Sequence, residues 1–405
     1  MKNLIALPLV VCLFYASCIH TAKTVAEEGI PEIEIISNLS KPQKGLLSEV
    51  ASNIEYIALE TDRKCLVSGR RAYGSKEYIV TIGSLAPNHP VCYVFERGTG
   101  KFVRQISSYG RGPGEYTEII GFLEGEKEQV VMWGNNQRLF YNLDGTLSHQ
   151  TGRFVPFARY FVAYGDFYAG YVSNIFGNAT TRIAFYDKTG VLVDSIPEYR
   201  SWERTMSSWG ESSDSWLYVF DDNLYYKDVF CDTLYYIKDF ELHPRYIFNT
   251  GGRAVPYEIQ EGGRYRLETT LGGFEIIDRY ERYINIIEIV ESHRHLYFTV
   301  DYRQQLYPAV YDKTGNMIQI LSPVSIPPPR SDWKISFYGF ENDLDGGLPF
   351  WPQQMISDRE MMCVYSAEEL LELDISKITD PKLKEVLNSI DEFSNPVVAI
   401  VTLKD

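Results

Sequence analysis

Positive charge is scarce in this chain. Lysine and arginine number 39 against 54 aspartates and glutamates, a formal net charge of −15. So acidic a surface repels phosphate backbones and anionic head groups, which excludes nucleic acid as a partner and electrostatic adsorption as a route to a membrane. Signatures of catalysis are missing as well. Neither a Gly-x-Ser-x-Gly elbow nor a His-Glu-x-x-His pair occurs, so the chain carries no α/β-hydrolase nucleophile and no zincin helix. Cysteine is limited to six residues, and Cys65, Cys92, Cys231 and Cys363 stand too far apart for a zinc motif. In an exported chain those four read as buried apolar fillers or as one bridge. Beyond the first fifteen residues no run is long and apolar enough to cross a bilayer. Helical periodicity is rare too. No catalytic residue and no cofactor is nominated from the sequence.

Aromatic residues are what the chain has in quantity: 30 Tyr and 21 Phe among 405 residues that are 45% hydrophobic and 23% charged. That is a globular composition, long enough for one large domain or two ordinary ones. Tyr, Phe, Val and Ile favour strands because they pack well on a pleated, half-buried surface. The N-terminus, "MKNLIALPLVVCLFYASCIH", places Lys2 ahead of a short apolar stretch from Leu4 to Tyr15. Its length suits a signal peptide over residues 1–17 and falls short of a membrane span. "YASC", Tyr15 to Cys18, resembles a bacterial lipobox with Tyr15 in place of the usual Leu or Val. Cys18 is thus the expected lipidation site, and an exported outer-membrane lipoprotein the expected destination, on either its periplasmic or its cell-surface face. Residues 18–45 are polar, contain Pro31 and Pro42, and read as a tether in which only "EIEIIS", Glu32 to Ser37, alternates like a strand.

From residue 46 to 405 the chain is a series of short strands and turns. Four turns share one plan: Val94–Ile106, Phe140–Gln150, Ala184–Ile196 and Ala309–Leu321 each run from an aromatic strand end through a polar, Gly-bearing turn into a second strand. Glycine supplies the positive φ that a tight hairpin requires. Asp232–Phe248 reads as a degenerate fifth copy. One hairpin type recurring along a chain signals a repeat architecture. Repeated antiparallel sheets without long helices predict an all-β propeller, whose closure removes exposed sheet edges. A pair of β-sandwiches is the other arrangement that fits. Two short C-terminal helices are expected, one opened by a capping box of Ser366 and Glu369, the other by Asp380 with Pro381 at its first position. The final apolar strand, within "NPVVAIVTLK", is expected to pair with "EIEIIS" and close the ring.

At this point four segments carry a resemblance: "YGRGPGEY" (Tyr109 to Tyr116), "DTLYYI…HPRYIF" (Asp232 to Phe248), "HLYFTV…VYDKTGN" (His295 to Asn316) and "NDLDGGLPFWP" (Asn342 to Pro352). In this order they resemble the signature segments of a bacterial six-bladed β-propeller lipoprotein family, NHL- and TolB-like in architecture. The resemblance implies six blades of about 60 residues, longer than the ~40–45 of WD40 repeats. It implies no particular activity.

Several stretches could carry chemistry. In "YGRGPGEY" the acidic Glu115 after the last glycine rules against a phosphate loop. Gly110, Gly112 and Gly114 with Pro113 read instead as a rigid crossover between blades, with Arg111 as a candidate ligand contact. "NDLDGG" offers Asp343 and Asp345 as weak candidates for a calcium ligand, but the loop lacks a closing Glu, so no metal is assigned. The polar loop Glu198–Trp216 holds Trp202, Trp209 and Trp216, half of the six tryptophans. Exposed aromatics in a polar loop mark a recognition surface, and the opposite reading folds them back onto a blade. The function expected is a binding or scaffold module for an envelope protein, peptide or glycan. The alternative is a propeller lyase or hydrolase with its site at the mouth of the central channel. Convergent His, Asp and Arg side chains there would favour the enzyme, and a flat aromatic face would favour binding.

Overall fold

Six antiparallel sheets follow one another along the chain as the blades of a propeller. The computed structural model describes residues 29–67, 71–86, 89–125, 127–158, 160–174, 176–202, 215–259, 264–268, 274–278, 280–325 and 338–404. Blade 1 comprises Ala72–Gly74, Tyr78–Ala86, His89–Glu96 and Phe102–Gln105, and blade 2 Glu118–Leu123, Gln129–Gly134, Gln137–Asn142 and Leu147–Thr151. Blade 3 comprises Phe161–Tyr164, Phe167–Tyr171, Thr181–Asp187 and Leu192–Pro197, and blade 4 Ser215–Phe220, Asn223–Asp228, Thr233–Lys238 and Glu241–Asn249. Blade 5 uses Asn285–Glu291, His295–Tyr302, Gln305–Asp312 and Met317–Ile320. Blade 6 uses Gln354–Ser357, Glu360–Tyr365, Val397–Leu403 and, from the other end of the chain, Ala51–Ala58.

Burial follows from this geometry. Each blade is covered on both faces, so its middle strands are mostly buried along their length instead of alternating, with Arg138 and Lys227 among the buried residues. Val91 to Phe95 in blade 1 are all buried. The core is divided into separate clusters, one for each pair of neighbouring blades around the ring. Val94 with Met132 joins blades 1 and 2, Phe140 with Tyr168 joins 2 and 3, and Phe185 with Leu224 joins 3 and 4. Phe248 with Phe298 joins 4 and 5, Tyr297 with Met361 joins 5 and 6, and Val364 with Val91 joins 6 and 1.

The four look-alike turns are the links from the third to the fourth strand of blades 1, 2, 3 and 5, all on one face of the ring. Their acids act locally. Asp187 Oδ1 accepts the backbone N–H of Thr189 (2.9 Å) and Val191 (3.0 Å), and Asp312 Oδ1 accepts those of Thr314 (2.8 Å) and Gly315 (3.0 Å). Blade 4 makes the same link without glycine, through Asp239 and Phe240 at φ 52° and 61°, which explains why that copy looked degenerate. Blade 6 has no such turn, because the chain termini meet there.

Ring closure uses a different N-terminal segment from the one expected. Val397–Leu403 pairs with Ala51–Ala58, from Ala58 opposite Val397 to Ala51 opposite Leu403. "EIEIIS" pairs elsewhere: Glu32–Glu34 adds a parallel fifth strand to blade 4, with Ile33 opposite Phe248. The following chain is bound along the rim as a strap. Gln43 N–H donates to Ile320 O at 2.8 Å, and Glu341 N–H donates to Gly45 O at 2.9 Å. The compact unit that holds the blades starts at Pro31, so the part of the expected tether after that residue belongs to the propeller.

The two short helices, Ala367–Leu370 and Pro381–Ser389, lie in the link between the second and third strands of blade 6. Ser366 accepts Glu369 N–H, and Asp380 accepts the N–H groups of Lys382 and Leu383, while Leu383 and Leu387 pack on blade 6. Among the described residues after blade 4 are a 3-10 turn at Tyr257–Ile259 and a hairpin of Arg264–Glu268 with Phe274–Asp278.

Candidate functional site

The innermost strands of the blades surround the channel, and the face opposite the look-alike turns carries the crossovers from each outer strand to the next inner strand. On that face, between blades 5 and 6, lies a cavity of about 380 Å³. Trp216 enters it from the start of the inner strand of blade 4. Glu288 to Val290 come from the inner strand of blade 5. Tyr338, Pro349 and Trp351 to Gln353 come from the crossover into blade 6, and Cys363 to Tyr365 from that blade's second strand.

A bulge shapes the blade 5 wall. The ladder between Asn285–Glu291 and His295–Tyr302 shifts register between Ile287 and Val290, and Glu288 takes φ 56°. A non-glycine residue at positive φ inside a strand is held there by its surroundings, and bulges of this kind re-aim a side chain. Glu288 is exposed. One of its oxygens, Oε2, accepts Tyr338 O–H at 2.8 Å and Thr299 O–H at 2.9 Å. Burial, and then the adjacent Glu288 carboxylate, push the Tyr338 hydroxyl well above the ordinary tyrosine range, so it stays a donor.

The opposite wall is Trp351, which is 7% exposed. Its ring is fixed by Tyr297 at 6.1 Å, edge-on, and by Phe340 at 5.9 Å and Tyr338 at 6.4 Å. Its indole N–H is buried and meets no acceptor among the described residues. Cys363 sits behind this wall, and burial pushes its thiol up to about 12. That keeps it protonated and a poor nucleophile. Among the described residues Glu288 is the single acid lining the cavity, and no described His, Arg or Lys lines it.

The residues singled out from sequence are dispersed. Trp216 lines the cavity. Trp202 does not form part of a recognition surface: its indole N–H donates to Asn174 O at 2.8 Å, and its ring is buried with Val229, Phe230, Val255 and Tyr257. Its apolar area gains more from the blade 4 crossover than from water. Trp209 and Cys18 fall outside the described residues. Arg111 is exposed on the crossover between blades 1 and 2. Glu115 accepts Gly112 N–H at 2.7 Å. Gly114 has φ 75°, and its carbonyl accepts Ser107 O–H at 2.6 Å and Tyr141 O–H. Gly110 and Gly112 lie against the Glu115 carboxylate, with no room for a Cβ at Gly110 unless that carboxylate shifts.

Asp343 and Asp345 serve separate structural bonds. Asp343 accepts Ser48 N–H at 2.9 Å and Ser48 O–H at 2.5 Å, whereas Asp345 accepts Gly347 N–H at 2.8 Å. Among the described residues no three His, Cys, Asp or Glu side chains gather with metal-binding geometry. Cys65, Cys92, Cys231 and Cys363 are all free thiols, so no bridge joins them. Glu288 and Trp351 were missed from sequence. The signal for Trp351 was an aromatic flanked by prolines in "LPFWP"; a bulge that turns Glu288 outward leaves no sequence signature.

Residues 30–402 match the model of the family described as domain of unknown function DUF4934. The chain belongs to that family. No curated protein matches it. A solved structure of a candidate exported protein from Bacteroides fragilis NCTC 9343 is similar over 92% of this chain and 100% of its own, at 18% identity and a TM-score of 0.64. A member of the DUF4221 family from Bacteroides vulgatus ATCC 8482 covers 88% of this chain and 97% of its own, at 12% identity and a TM-score of 0.49. At such identities the first likeness speaks for the fold. The resemblance read from the four signature segments holds at that level: a six-bladed propeller.

Proposed function

We propose that this protein is an exported binding module of the cell envelope, anchored through a lipid on Cys18, and that the cavity between blades 5 and 6 docks part of a protein, peptide or glycan partner. The observation that carries the reading is the described lining of that cavity: Trp216, Tyr338, Trp351 and Tyr365 with the Glu288 carboxylate. Small-ligand sites are concave, largely aromatic and apolar, with a few placed polar groups. Hydrolysis of a glycoside takes two carboxyl groups about 5–9.5 Å apart, and general acid–base chemistry takes groups titrating near neutrality. Among the described residues Glu288 has no second acid in the cavity, and the Cys363 thiol behind the Trp351 wall stays protonated. Binding fits this set better than turnover. The leader before Cys18 and the candidate exported relative support export.

Soaking crystals with a mixture of disaccharides, tripeptides and primary amines tests the docking site. Density is expected between Trp216 and Trp351. Density only in the other hollows, such as that beside Arg253 and Arg303, would move the site. Turnover of nitrophenyl esters or glycosides that disappears in Glu288→Gln would replace binding with catalysis. Cys18→Ala should shift the protein from the membrane fraction to the soluble envelope fraction, and unchanged membrane association counts against lipidation.

A further inference from the structure

A second hollow, of about 820 Å³, opens beside blade 5 on the face that carries the crossovers. Three arginines line it from three separate segments. Arg253 comes from the chain after blade 4, Arg282 from the approach to the inner strand of blade 5, and Arg303 from the link between that blade's second and third strands. All three are exposed, so a solute can reach them. Backbone bonds tie the segments together. Ile284 N–H donates to Arg253 O at 2.7 Å, and Arg303 N–H donates to Glu281 O at 3.2 Å. Tyr302 steadies two of the side chains. Its hydroxyl accepts from Arg253 Nη1 at 3.2 Å, and the Arg303 guanidinium lies 5.1 Å from the centre of its ring.

Other arginines of this acidic chain find carboxylates: Arg97, Arg182, Arg200 and Arg245 each have one within 3.0 Å. Among the described residues no carboxylate pairs with Arg253, Arg282 or Arg303. The turn that carries Arg303 departs from the repeat as well. Arg303 and Gln304 sit at φ 54° and 59°, a region that favours Asn, Asp and Gly. The equivalent link in blade 2 uses Asn135 and Asn136, at φ 47° and 62°. An arginine held there sets a cation at the rim of the hollow at the expense of the turn, and strain of this kind gathers at ligand clamps.

We infer that this hollow binds a phosphate monoester on a small molecule. It shares no described lining residue with the cavity between blades 5 and 6, so it does not depend on the docking reading. Its described lining carries a charge of +2, three arginines less Glu281, which a phosphate of about −2 neutralises. A guanidinium fork takes two oxygens at once, and a phosphoryl group offers three oxygens in different directions. A carboxylate has two oxygens in one plane, enough for one fork, and leaves positive charge over. A cation is repelled, and a neutral solute supplies no counter-charge. The net charge of −15 still repels polyanions and anionic membranes. The ligand is therefore small, meeting the arginines well inside a Debye length of about 8–10 Å.

The test is calorimetric titration of the purified protein at low ionic strength with inorganic phosphate, glycerol 2-phosphate, acetate and glycerol. Phosphate and its ester should bind with a Kd of about 0.1–5 mM. Acetate should bind at least about fivefold more weakly, and glycerol not at all. Arg282→Gln should weaken phosphate binding about tenfold. Arg303→Asn should do the same while melting no lower than wild type, because asparagine suits the turn. A variant that keeps its fold and loses its ligand separates binding from structure. Glu281→Gln removes the opposing charge and should tighten binding about two- to threefold. The inference is overturned if phosphate fails to bind below about 20 mM or if acetate binds as tightly. Phosphate binding unchanged in Arg282→Gln and Arg303→Asn, or weakened in Glu281→Gln, overturns it too.

Discussion

Glutamine in place of Glu198 keeps the side chain's shape and removes one charge at the joint between blades 3 and 4. Glu198 follows the outer strand of blade 3, and its side chain is 4% exposed. Arg200 grips it with Nε to Oε1 at 3.0 Å and Nη2 to Oε2 at 2.9 Å. Arg182 adds Nε to Oε2 at 3.2 Å and Nη2 to Oε1 at 3.0 Å. Arg200 also reaches Asp228 of blade 4 at 2.5 Å and lies 4.0 Å from the centre of the Tyr257 ring. Burial alone would raise the Glu198 carboxyl, but the bonds from Arg200 and Arg182 outweigh it and hold the group at about 2. Set against an ordinary 4.5, at 1.36 kcal/mol per pH unit, ionised Glu198 contributes about 3 kcal/mol. The sign follows from the depression. The contribution is complete above the unfolded value near 4.5 and is lost as pH falls toward 2. Urea unfolding, read by tryptophan fluorescence in steps from pH 7 to pH 2.5, checks it. Wild type should lose midpoint through the acid range, and Glu198→Gln should start about 3 kcal/mol lower at pH 7, because two arginines lose a buried partner. The two curves should converge at the acid end. Parallel curves, or a gap under about 0.5 kcal/mol at pH 7, would refute the reasoning.

Two other changes probe the frame. Gly114→Val forces a β-branched residue into φ 75°, with its Cβ 3.2 Å from the Tyr141 hydroxyl, at a cost of order 1–3 kcal/mol. Exposed Arg111→Ala should stay within about 0.5 kcal/mol. Equal melting temperatures for the two variants would remove the structural account of this crossover. Truncation before Asn395 removes Val397, Val398, Ile400, Val401 and Leu403, all buried. At about 1.5–3 kcal/mol each that rivals the whole stability of a domain, about 5–15 kcal/mol. The product should be insoluble, and a soluble monomer with unchanged melting temperature would contradict the closure by Val397–Leu403.

The repeat was legible because turn chemistry is local. An acid that caps its own turn and a small residue at positive φ (Gly100, Gly145 and Gly190, but Asn316 in blade 5) can be read from four or five residues, and all four copies fall at equivalent places in their blades. Helix caps at Ser366 and Asp380 were readable for the same reason. Which N-terminal segment closes the ring was not, because "EIEIIS" and Ala51–Ala58 both alternate. Their fates depend on reach. Ala51–Ala58 enters from the rim beside blade 6 and is long enough to match all of Val397–Leu403. Glu32–Glu34 offers three residues and finds the open edge of blade 4, where Ile33 and Ile35 fill the seam between blades 4 and 5.

The site was less legible because it depends on one interface departing from the pattern set by the others. Seams such as Phe140 on Tyr168 or Phe185 on Leu224 are filled by apolar residues that any strand pattern predicts. Between blades 5 and 6 the inner strand bulges at Glu288, and a long crossover inserts Tyr338 and the Pro349–Pro352 stretch where a short one would let the blades meet. Sequence showed the tryptophans but could not rank them. Trp202 lies next to Arg200, whose ion pairs draw the crossover down onto blade 4. Trp351 is held by flanking prolines and by Phe340, with one polar atom left unmet. The proposed docking site lies at the seam the repeat does not fill, built from a crossover and a bulge that stand apart from the ladder closing the ring.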